Sequence, residues 1–293
     1  MQRLKFRSVM KLLVVTGALS ALTLSSGGVA TAGQAIGEKT LALASGKVVP
    51  LDAAHRSQAE DDAFRNELAR LDLLGELDGA TLARMGLTQV SRPVPAKPSA
   101  AAPQLRSPSA VQGCSVTNAQ TSANAISLTP PTIWLAGSSS DYRLYASAKY
   151  KWTSPPAAGS TCRVKVGGPD GFALTLNKSV TNTGVTFYTC NSNNKCQYDY
   201  GWLETNSSYG AGYAFQDLAG TYLTGYSDAY AGNITYSFKS NVSACVQAYS
   251  KYGHTWNSTS VNGFSIGPWS IGIQWSSSSN YWQKSSQSGS YNC

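Results

Sequence analysis

The stretch YRLYASAKYKW, residues 142–152, decides the fold class, because its two sets of alternating residues differ in polarity. Tyr142 and every second residue up to Trp152 lie on one face, which is apolar, while Arg143, Ser147 and Lys149 lie on the other. A period of two is typical of a half-buried strand. The outer face is basic, and such a face either meets an anionic polymer or is a solvated face that discourages edge aggregation.

Similar short segments follow this strand along the chain and are separated by turns rich in Gly, Asn and Ser. No stretch after residue 114 keeps a helical period. About nine short strands in this setting predict an all-β fold, a β-sandwich, with a small barrel as the alternative. The further strand segments are 172–176, 185–187, 198–202, 221–230, 233–240, 243–256, 261–266 and 269–275.

The C-terminal part, residues 114–293, carries few charges for its size. Its 180 residues include ten Lys and Arg and six Asp and Glu, while all seven Trp, all sixteen Tyr and all six Cys of the chain lie in it. This composition excludes a charged disordered tail, a coiled coil and a basic nucleic-acid module. A domain of this length buries enough surface to form its own core.

The N-terminus has the pattern of an export signal. Four basic residues accompany the apolar run 12–24, and Ala30-Thr31-Ala32 provides the small residues of a cleavage site. The alternative is a membrane anchor, but the apolar run is shorter than the roughly 20 residues of a spanning helix. We therefore expect residues 1–32 to be a cleaved signal, and the rest of the chain to be secreted with no membrane span.

Residues 33–90 are predicted to form a short helical pro-region, joined by a Pro/Ala/Ser-rich linker, residues 91–113, to the β-sandwich domain, residues 114–293. Ser57 and Glu60 have capping-box spacing, and Phe64, Leu68 and Leu71 then recur on one helix face. So small a helical segment must dock its apolar stripe on another surface. It is either a propeptide that shields the sandwich and is cut in the linker, or a permanently attached stalk.

The six cysteines are expected to form disulfides, because an even count in an exported chain usually indicates bridges. Fifteen pairings are possible. Sequential pairing is favoured by the turn-rich loop between Cys190 and Cys196 and by the equal spacing of the other two pairs. The predicted bridges are Cys114–Cys162, Cys190–Cys196 and Cys245–Cys293. Because there is no Cys-x-x-Cys and no Cys/His cluster, no metal site is expected.

Candidate catalytic residues are few, and no cofactor-binding motif occurs. His254 is the one histidine of the sandwich domain, and none of the common hydrolase, phosphate-loop or calcium-loop motifs is present. A glycosidase needs only two carboxylates that face each other across a cleft. The acids that could form such a pair are Asp199, Glu204, Asp217 and Asp228, whereas Asp170 is assigned to a turn and Asp141 to a strand end.

Two aromatic ladders are the candidate ligand-binding surfaces. Tyr252, His254 and Trp256 share one face of a strand, where they would either stack on sugar rings or belong to the sandwich interior. The second ladder contains Tyr222, Tyr226 and Tyr230. It is expected to be exposed, because tyrosine hydroxyls are costly to bury without hydrogen-bond partners. With an exposed tryptophan in the C-terminal tail, the predicted binding set is Tyr222, Tyr226, Tyr230, Tyr252, His254, Trp256 and Trp282.

Three functions follow from these features. The favoured hypothesis is a secreted, non-catalytic binding protein for a cell-envelope or environmental polysaccharide. A second hypothesis is a secreted hydrolase whose carboxylate pair is kept inactive by the pro-region. A third is a toxin component or protease inhibitor that presents the loop 190–196 to a protein partner.

Overall fold

The computed structural model describes residues 39–93, 115–138, 141–158, 163–198, 201–220, 228–240 and 244–293. The predicted signal, residues 1–32, and most of the predicted linker lie outside these ranges. The described residues belong to one compact unit. Within them, no helix has the length and apolarity that crossing a bilayer requires.

The first described part, residues 39–93, which we call the N-terminal segment, contains two helices and four short strands. A 3-10 turn at Ala53–His55 precedes the first helix. In chain order the elements are β1 (Thr40–Ala42), β2 (Val48–Pro50), α1 (Gln58–Leu74), α2 (Gly79–Arg84), β3 (Leu87–Gln89) and β4 (Arg92–Pro93). The segment is therefore not purely helical, and the first residues of the predicted linker form a strand.

The described residues after 114 contain seventeen strands and one 3-10 turn, Ala123–Ala125. The strands are β5 (Val116–Thr117), β6 (Ile126–Ser138), β7 (Asp141–Trp152), β8 (Ala157–Ala158), β9 (Arg163–Lys165), β10 (Asp170–Leu176), β11 (Thr181–Cys190), β12 (Cys196–Tyr198), β13 (Trp202–Ser207), β14 (Gly210–Phe215), β15 (Leu218–Gly220), β16 (Ala231–Lys239), β17 (Val246–Thr255), β18 (Val261–Gly267), β19 (Ser270–Trp275), β20 (Tyr281–Ser285) and β21 (Gly289–Tyr291).

Two antiparallel sheets form the sandwich, which confirms the predicted fold class. The six-stranded sheet has the order β12-β11-β16-β7-β6-β3, and the seven-stranded sheet has the order β13-β14-β10-β17-β21-β4, with β20 paired to β17. The N-terminal segment thus supplies one edge strand to each sheet. The hairpin β18-β19 packs outside the seven-stranded sheet, where Phe264 joins a small cluster with Ala173 and Ala214.

The main core lies between the inner faces of the two sheets and is rich in aromatic rings. Tyr150 packs edge-on against Tyr252 at a centroid distance of 4.7 Å and stacks on Phe215 at 5.7 Å. Both Trp152 and Trp282 are buried in the same cluster. Residues 142–152 alternate as predicted, with the apolar face of β7 turned into this core.

The N-terminal segment docks on the outer face of the six-stranded sheet. Phe64, Leu68 and Leu71 of α1 are buried there in a cluster that includes Trp134 and Tyr145. The capping box is present as predicted, since Ser57 Oγ accepts from the N–H of Glu60 while the Glu60 carboxylate accepts from the N–H of Ser57. The small core beneath α1 is therefore shared between the segment and the sheet.

Ser57→Ala is expected to lower the free energy of unfolding of this segment by about 1 kcal/mol, because it removes the oxygen that satisfies a free N–H group at the start of α1. Hydrogen exchange of the first turn of α1 measures the effect, which should be about a fivefold acceleration. The substitution Ser179→Ala, in a turn of the sandwich, is the control. An unchanged exchange rate for Ser57→Ala would contradict the stabilising role of the cap.

Two of the three predicted disulfides are present, Cys190–Cys196 and Cys245–Cys293. The first closes the predicted hairpin, in which Cys190 of β11 lies opposite Cys196 of β12. The predicted bridge between Cys114 and Cys162 falls on residues outside the described ranges.

Candidate functional site

The outer face of the six-stranded sheet is an ordered array of polar side chains bordered by aromatic ones. We call it the covered face, because α1 lies over it. Three cross-strand rows build it. From one end to the other these rows are Lys149–Asn233–Tyr188, then Ser147–Thr235–Thr186, then Trp134–Tyr145–Ser237.

The alternation of each strand explains why these side chains share one face. On β16, Ile234 and Tyr236 enter the core between the sheets, so Asn233, Thr235 and Ser237 must point outward. The same outward set is buried, because the helix covers it. The basic outer face predicted for β7 is therefore only partly solvated: Ser147 is buried and Lys149 is partly covered, whereas Lys151 is exposed.

The side chain of Asp72, near the end of α1, contacts residues of the first two rows of the covered face. Its carboxylate accepts hydrogen bonds from Ser147 Oγ and Asn233 Nδ2, each at 2.8 Å. Lys149 Nζ lies 2.8 Å from the other carboxylate oxygen and 3.0 Å from the main-chain oxygen of Asp72. Thr235 donates to Asn233 Oδ1 at 2.7 Å, which orients the amide so that its NH₂ group faces the carboxylate.

A second set of polar contacts lies about two to three turns earlier on the helix. Arg65 donates to Thr186 Oγ1 at 3.2 Å and to Ser237 Oγ at 3.1 Å. Arg65 also pairs with Asp61, whose carboxylate accepts from Tyr145 Oη at 2.9 Å. Arg143 lies 2.7 Å from the same carboxylate, so charges from both the helix and the sheet are buried together.

The sheet surface is shaped to admit Arg65. At Gly184 on β11, an added Cβ atom would lie 2.4 Å from Arg65 Nη1, and the backbone φ there is +152°. Glycine adopts this conformation readily, and the guanidinium lies directly against the strand in the space that glycine leaves. The contact between α1 and the covered face is therefore close at this point.

A groove beside α1 continues the covered face. It has a volume of about 420 Å³, and Leu73 of α1, Lys149, Lys151 and Tyr230 line it. Lys151 Nζ lies 5.9 Å from the centre of the Tyr230 ring, within the range of a cation–π contact. Tyr230, one of the predicted binding residues, is thus half-buried at the side of a groove rather than in an exposed ladder.

A pocket of about 280 Å³ adjoins this groove, and the two share Trp152 and Tyr230 among their lining residues. Asp217 and Asp228 also line the pocket. Between Asp228 and Tyr230, Ala229 has φ +58°, a left-handed conformation that is unfavourable for a residue with a Cβ atom. The pocket therefore combines two aromatic rings, two carboxyl groups and a strained backbone.

A buried ionic network lies behind the pocket. Asp170 Oδ2 accepts from Tyr252 Oη at 2.6 Å and lies 2.9 Å from His254 Nδ1, while Asp170 Oδ1 accepts from the N–H of Thr255 at 2.8 Å. His254 Nε2 lies 2.9 Å from the carbonyl oxygen of Ala119. Both imidazole nitrogens therefore face acceptors, which is the arrangement of a protonated ring.

The pKa of His254 agrees with that assignment. Burial lowers it, but the charge of Asp170 and its hydrogen bond outweigh burial, and Asp217 and the Ala119 carbonyl add to the rise. The pKa of His254 is consequently raised to about 9. His254 is a cation at neutral pH, held by Asp170.

Asp217 belongs to the same buried network, but its carboxylate forms no hydrogen bond with the other described residues. One of its carboxylate oxygens lies 3.8 Å from His254 Nδ1. Burial raises the pKa of Asp217 well above its ordinary value, and repulsion from Asp170 adds to this, against the attraction of His254. Burial also raises the pKa of Asp228. Both carboxyl oxygens of Asp217 are shielded from solvent, which favours the neutral, protonated form of the carboxyl.

The same three side chains, Asp170, Asp217 and His254, are close enough together to be compared with a metal site. Their ligand atoms lie within 4.8 Å of one another. A histidine binds a metal through a deprotonated nitrogen, whereas both nitrogens of His254 lie 2.9 Å from oxygen atoms that accept hydrogen bonds. The donor set therefore fits an ion pair better than a metal site.

Asp217→Asn is expected to stabilise the protein at pH 8. A carboxyl whose pKa is raised in the folded state contributes less stability as the pH rises above its unfolded value, whereas an amide does not titrate. The advantage of the variant over the wild type should grow by on the order of 1 kcal/mol between pH 4 and pH 8, because only the wild-type carboxyl must lose its proton in a buried site. Urea unfolding at pH 4 and pH 8 measures it. A variant that is less stable than the wild type at pH 8 would contradict a protonated, unsatisfied Asp217.

Several residues of the predicted binding set do not lie on a surface. Tyr252, His254, Trp256 and Trp282 are buried within the sandwich, so an exposed stacking strip at these positions is wrong, and the interior alternative holds. Tyr252 and His254 are buried because β17 lies in the middle of its sheet and turns this face toward the six-stranded sheet, and Trp256 and Trp282 pack in the same core. Tyr222 and Tyr226 lie outside the described residues.

The four predicted carboxylates are only partly brought together. Asp217 and Asp228 line the same pocket, whereas Glu204 on β13 accepts a hydrogen bond from the indole of Trp202. Asp199 lies outside the described residues. Sequence reasoning set Asp170 aside as a turn residue and missed the covered face, although the outward alternation of β7 and β16 was its signal.

Compared with known proteins, the chain matches no family model, no curated protein and no solved structure.

Proposed function

We propose that the chain is the precursor of a secreted polysaccharide-binding protein, and that its binding surface is the covered face. In this proposal the N-terminal segment is a propeptide that blocks the surface until it is displaced. The observation that carries the proposal is the composition of the face: hydroxyl and amide groups at its centre, with Trp134, Tyr145 and Tyr188 at its borders. Sugars present many hydroxyl groups and apolar ring faces, which such a surface matches.

The cost of burying this surface supports a temporary cover. Replacing a buried ion pair by well-packed apolar side chains is often neutral or stabilising. A helix that stayed in place permanently would therefore dock equally well on an apolar face. Here Arg65, Asp61 and Asp72 instead satisfy polar groups that water or a ligand would otherwise satisfy. The face is suited to a second state in which it is exposed.

Export is the second part of the proposal. The predicted signal, residues 1–32, directs the chain out of the cell, and the two disulfides are compatible with an oxidising compartment. The linker, residues 91–113, is the expected site of processing.

Depletion from solution onto insoluble peptidoglycan, chitin and cellulose tests this function. The full chain is compared with the double variant Phe64→Ala/Leu68→Ala, called the undocked variant, in which two buried anchors of α1 are removed. We expect the undocked variant to be depleted by at least one polymer and the wild type to be depleted at least tenfold less.

Phe264→Ala is the matched control, because it removes a buried ring on the other side of the sandwich. It should behave like the wild type. Adding Trp134→Ala to the undocked variant should abolish depletion. If the undocked variant stays in solution with all three polymers and also binds no acidic polysaccharide such as polygalacturonate, or if Trp134→Ala has no effect, the proposed function is wrong.

A second candidate function, a glycoside hydrolase, is favoured by the pocket that adjoins the groove. Asp217 and Asp228 line it together, and burial raises the pKa of both carboxyl groups. A protonated and an ionised carboxyl are the acid and base that glycoside hydrolysis requires. Release of reducing sugar by the undocked variant, lost in both Asp217→Asn and Asp228→Asn, would support this function. Binding of a polymer without such release would exclude it.

A further inference from the structure

The carboxylate of Asp72 indicates the kind of ligand that the covered face takes. It comes from the N-terminal segment, yet three side chains of the sandwich bind it: Ser147, Asn233 and Lys149. Ser147 and Asn233 are fully or almost fully buried, so they do not bind the carboxylate from a solvated position. Together with Lys149 they form a carboxylate site that is built from the sheet itself.

The site is oriented by hydrogen bonds within the sheet. Asn233 Nδ2 donates to Ser147 Oγ at 2.7 Å as well as to Asp72, and Asn233 Oδ1 accepts from Thr235. This arrangement uses both amide protons and leaves the hydroxyl proton of Ser147 for the carboxylate. The sheet therefore offers two neutral donors and one cation to a single anionic group, a combination that gives short, strong hydrogen bonds.

The side chains of the sandwich around the carboxylate site carry positive charge, which binding of an anionic ligand requires. Lys149 and Lys151 line the adjoining groove, and the acids that approach the covered face, Asp61 and Asp72, belong to the N-terminal segment. Displacement of the segment removes these acids together. The face that remains has a net positive charge, contributed by Arg143, Lys149 and Lys151.

We infer that the covered face binds a polysaccharide with carboxylate groups, such as a uronic-acid polymer, and that Asp72 occupies the position of one of those groups in the precursor. This inference rests on the proposed function and names its ligand class. The segment blocks the face by presenting the same chemical group as the ligand, so ligand and segment compete for Lys149, Ser147 and Asn233.

Affinity electrophoresis in gels that contain polygalacturonate or its fully methyl-esterified form tests the inference. The ester keeps the sugar chain and removes the charge. We expect the undocked variant to bind the acid form at least tenfold more tightly than the ester. Lys149→Gln should reduce that ratio to less than threefold, whereas Lys165→Gln, which removes an exposed charge on β9, should leave it unchanged.

A second variant tests the competition within the otherwise unaltered chain. Asp72→Asn should increase retardation of the full chain by polygalacturonate, and Glu76→Gln, an exposed acid two residues beyond α1, should not. Equal binding of acid and ester, or equal effects of Lys149→Gln and Lys165→Gln, would overturn the inference. If the undocked variant binds chitin or cellulose but not polygalacturonate, the ligand class is wrong while the proposed function stands.

Discussion

Replacing Asp170 with asparagine is expected to lower the free energy of unfolding by about 3–5 kcal/mol at pH 6, the cost of removing one partner from a buried ion pair. Asp170 accepts hydrogen bonds from Tyr252, His254 and Thr255, all of them buried. In the variant the His254 cation loses the group that holds it. Urea unfolding measures the loss, and Glu204→Gln, which changes a partly exposed acid of the same sandwich, is the control.

The pH dependence of this loss identifies its origin. The pKa of His254 is raised from 6.5 to about 9, so its contribution to stability is fully present below pH 6.5 and is lost as the pH rises through 9. A shift of that size corresponds to about 3 kcal/mol. The difference between wild type and Asp170→Asn should therefore shrink between pH 6.5 and pH 9.5. Because Asp217 titrates in the same network, the comparison is made in an Asp217→Asn background.

A constant difference at all pH values would mean that Asp170 acts through its hydrogen bonds alone and that His254 is neutral. A difference below about 1 kcal/mol at pH 6 would contradict the whole description of the network.

Phe64→Ala is expected to destabilise the docked state of α1 by about 3–5 kcal/mol, as for other fully buried aromatic residues. Phe64 lies 5.5 Å from the ring of Tyr145 and beneath the guanidinium of Arg56, so no solvent replaces its contacts. Hydrogen exchange within residues 58–74 should become at least a hundredfold faster. Phe264→Ala is the control, since it should leave exchange in α1 unchanged.

The same experiment distinguishes a cover from a permanent part of the fold. If α1 is a separable cover, its amides should exchange faster while those of β7 and β16 remain protected, because local opening differs from global unfolding. If β7 and β16 exchange faster to the same extent, the helix and the sandwich unfold together. The covered face would then have no state in which it is exposed.

The sequence predicted the sandwich well where side chains alternate and poorly where they do not. Strand β7 was found because its two faces differ in polarity. Strand β6 was missed, since Pro130 and Pro131 interrupt its pattern; in the structure they lie where the register with β7 shifts, between Thr129 and Thr132. Proline is tolerated at such a bulge because no ladder hydrogen bond is required there.

The candidate site was harder to predict, because it depends on which face of a strand is covered and by what. Alternation places Tyr252 and His254 on one side of β17 but does not tell whether that side meets solvent or the other sheet. The partner of His254, Asp170, is 84 residues away in sequence. The contacts of Asp72 with Ser147 and Asn233 span 75 and 161 residues, and no local pattern marks them.

Competition between helix and polysaccharide for the covered face is the central claim, and hydrogen exchange of α1 in the full wild-type chain tests it most directly. Soluble fragments of polygalacturonate, peptidoglycan, chitin and cellulose are added one at a time. The expected result is faster exchange within residues 58–74, and not in β18 or β19, with at least one fragment, polygalacturonate first among them. Unchanged or slower exchange in α1 with all four fragments would contradict the claim.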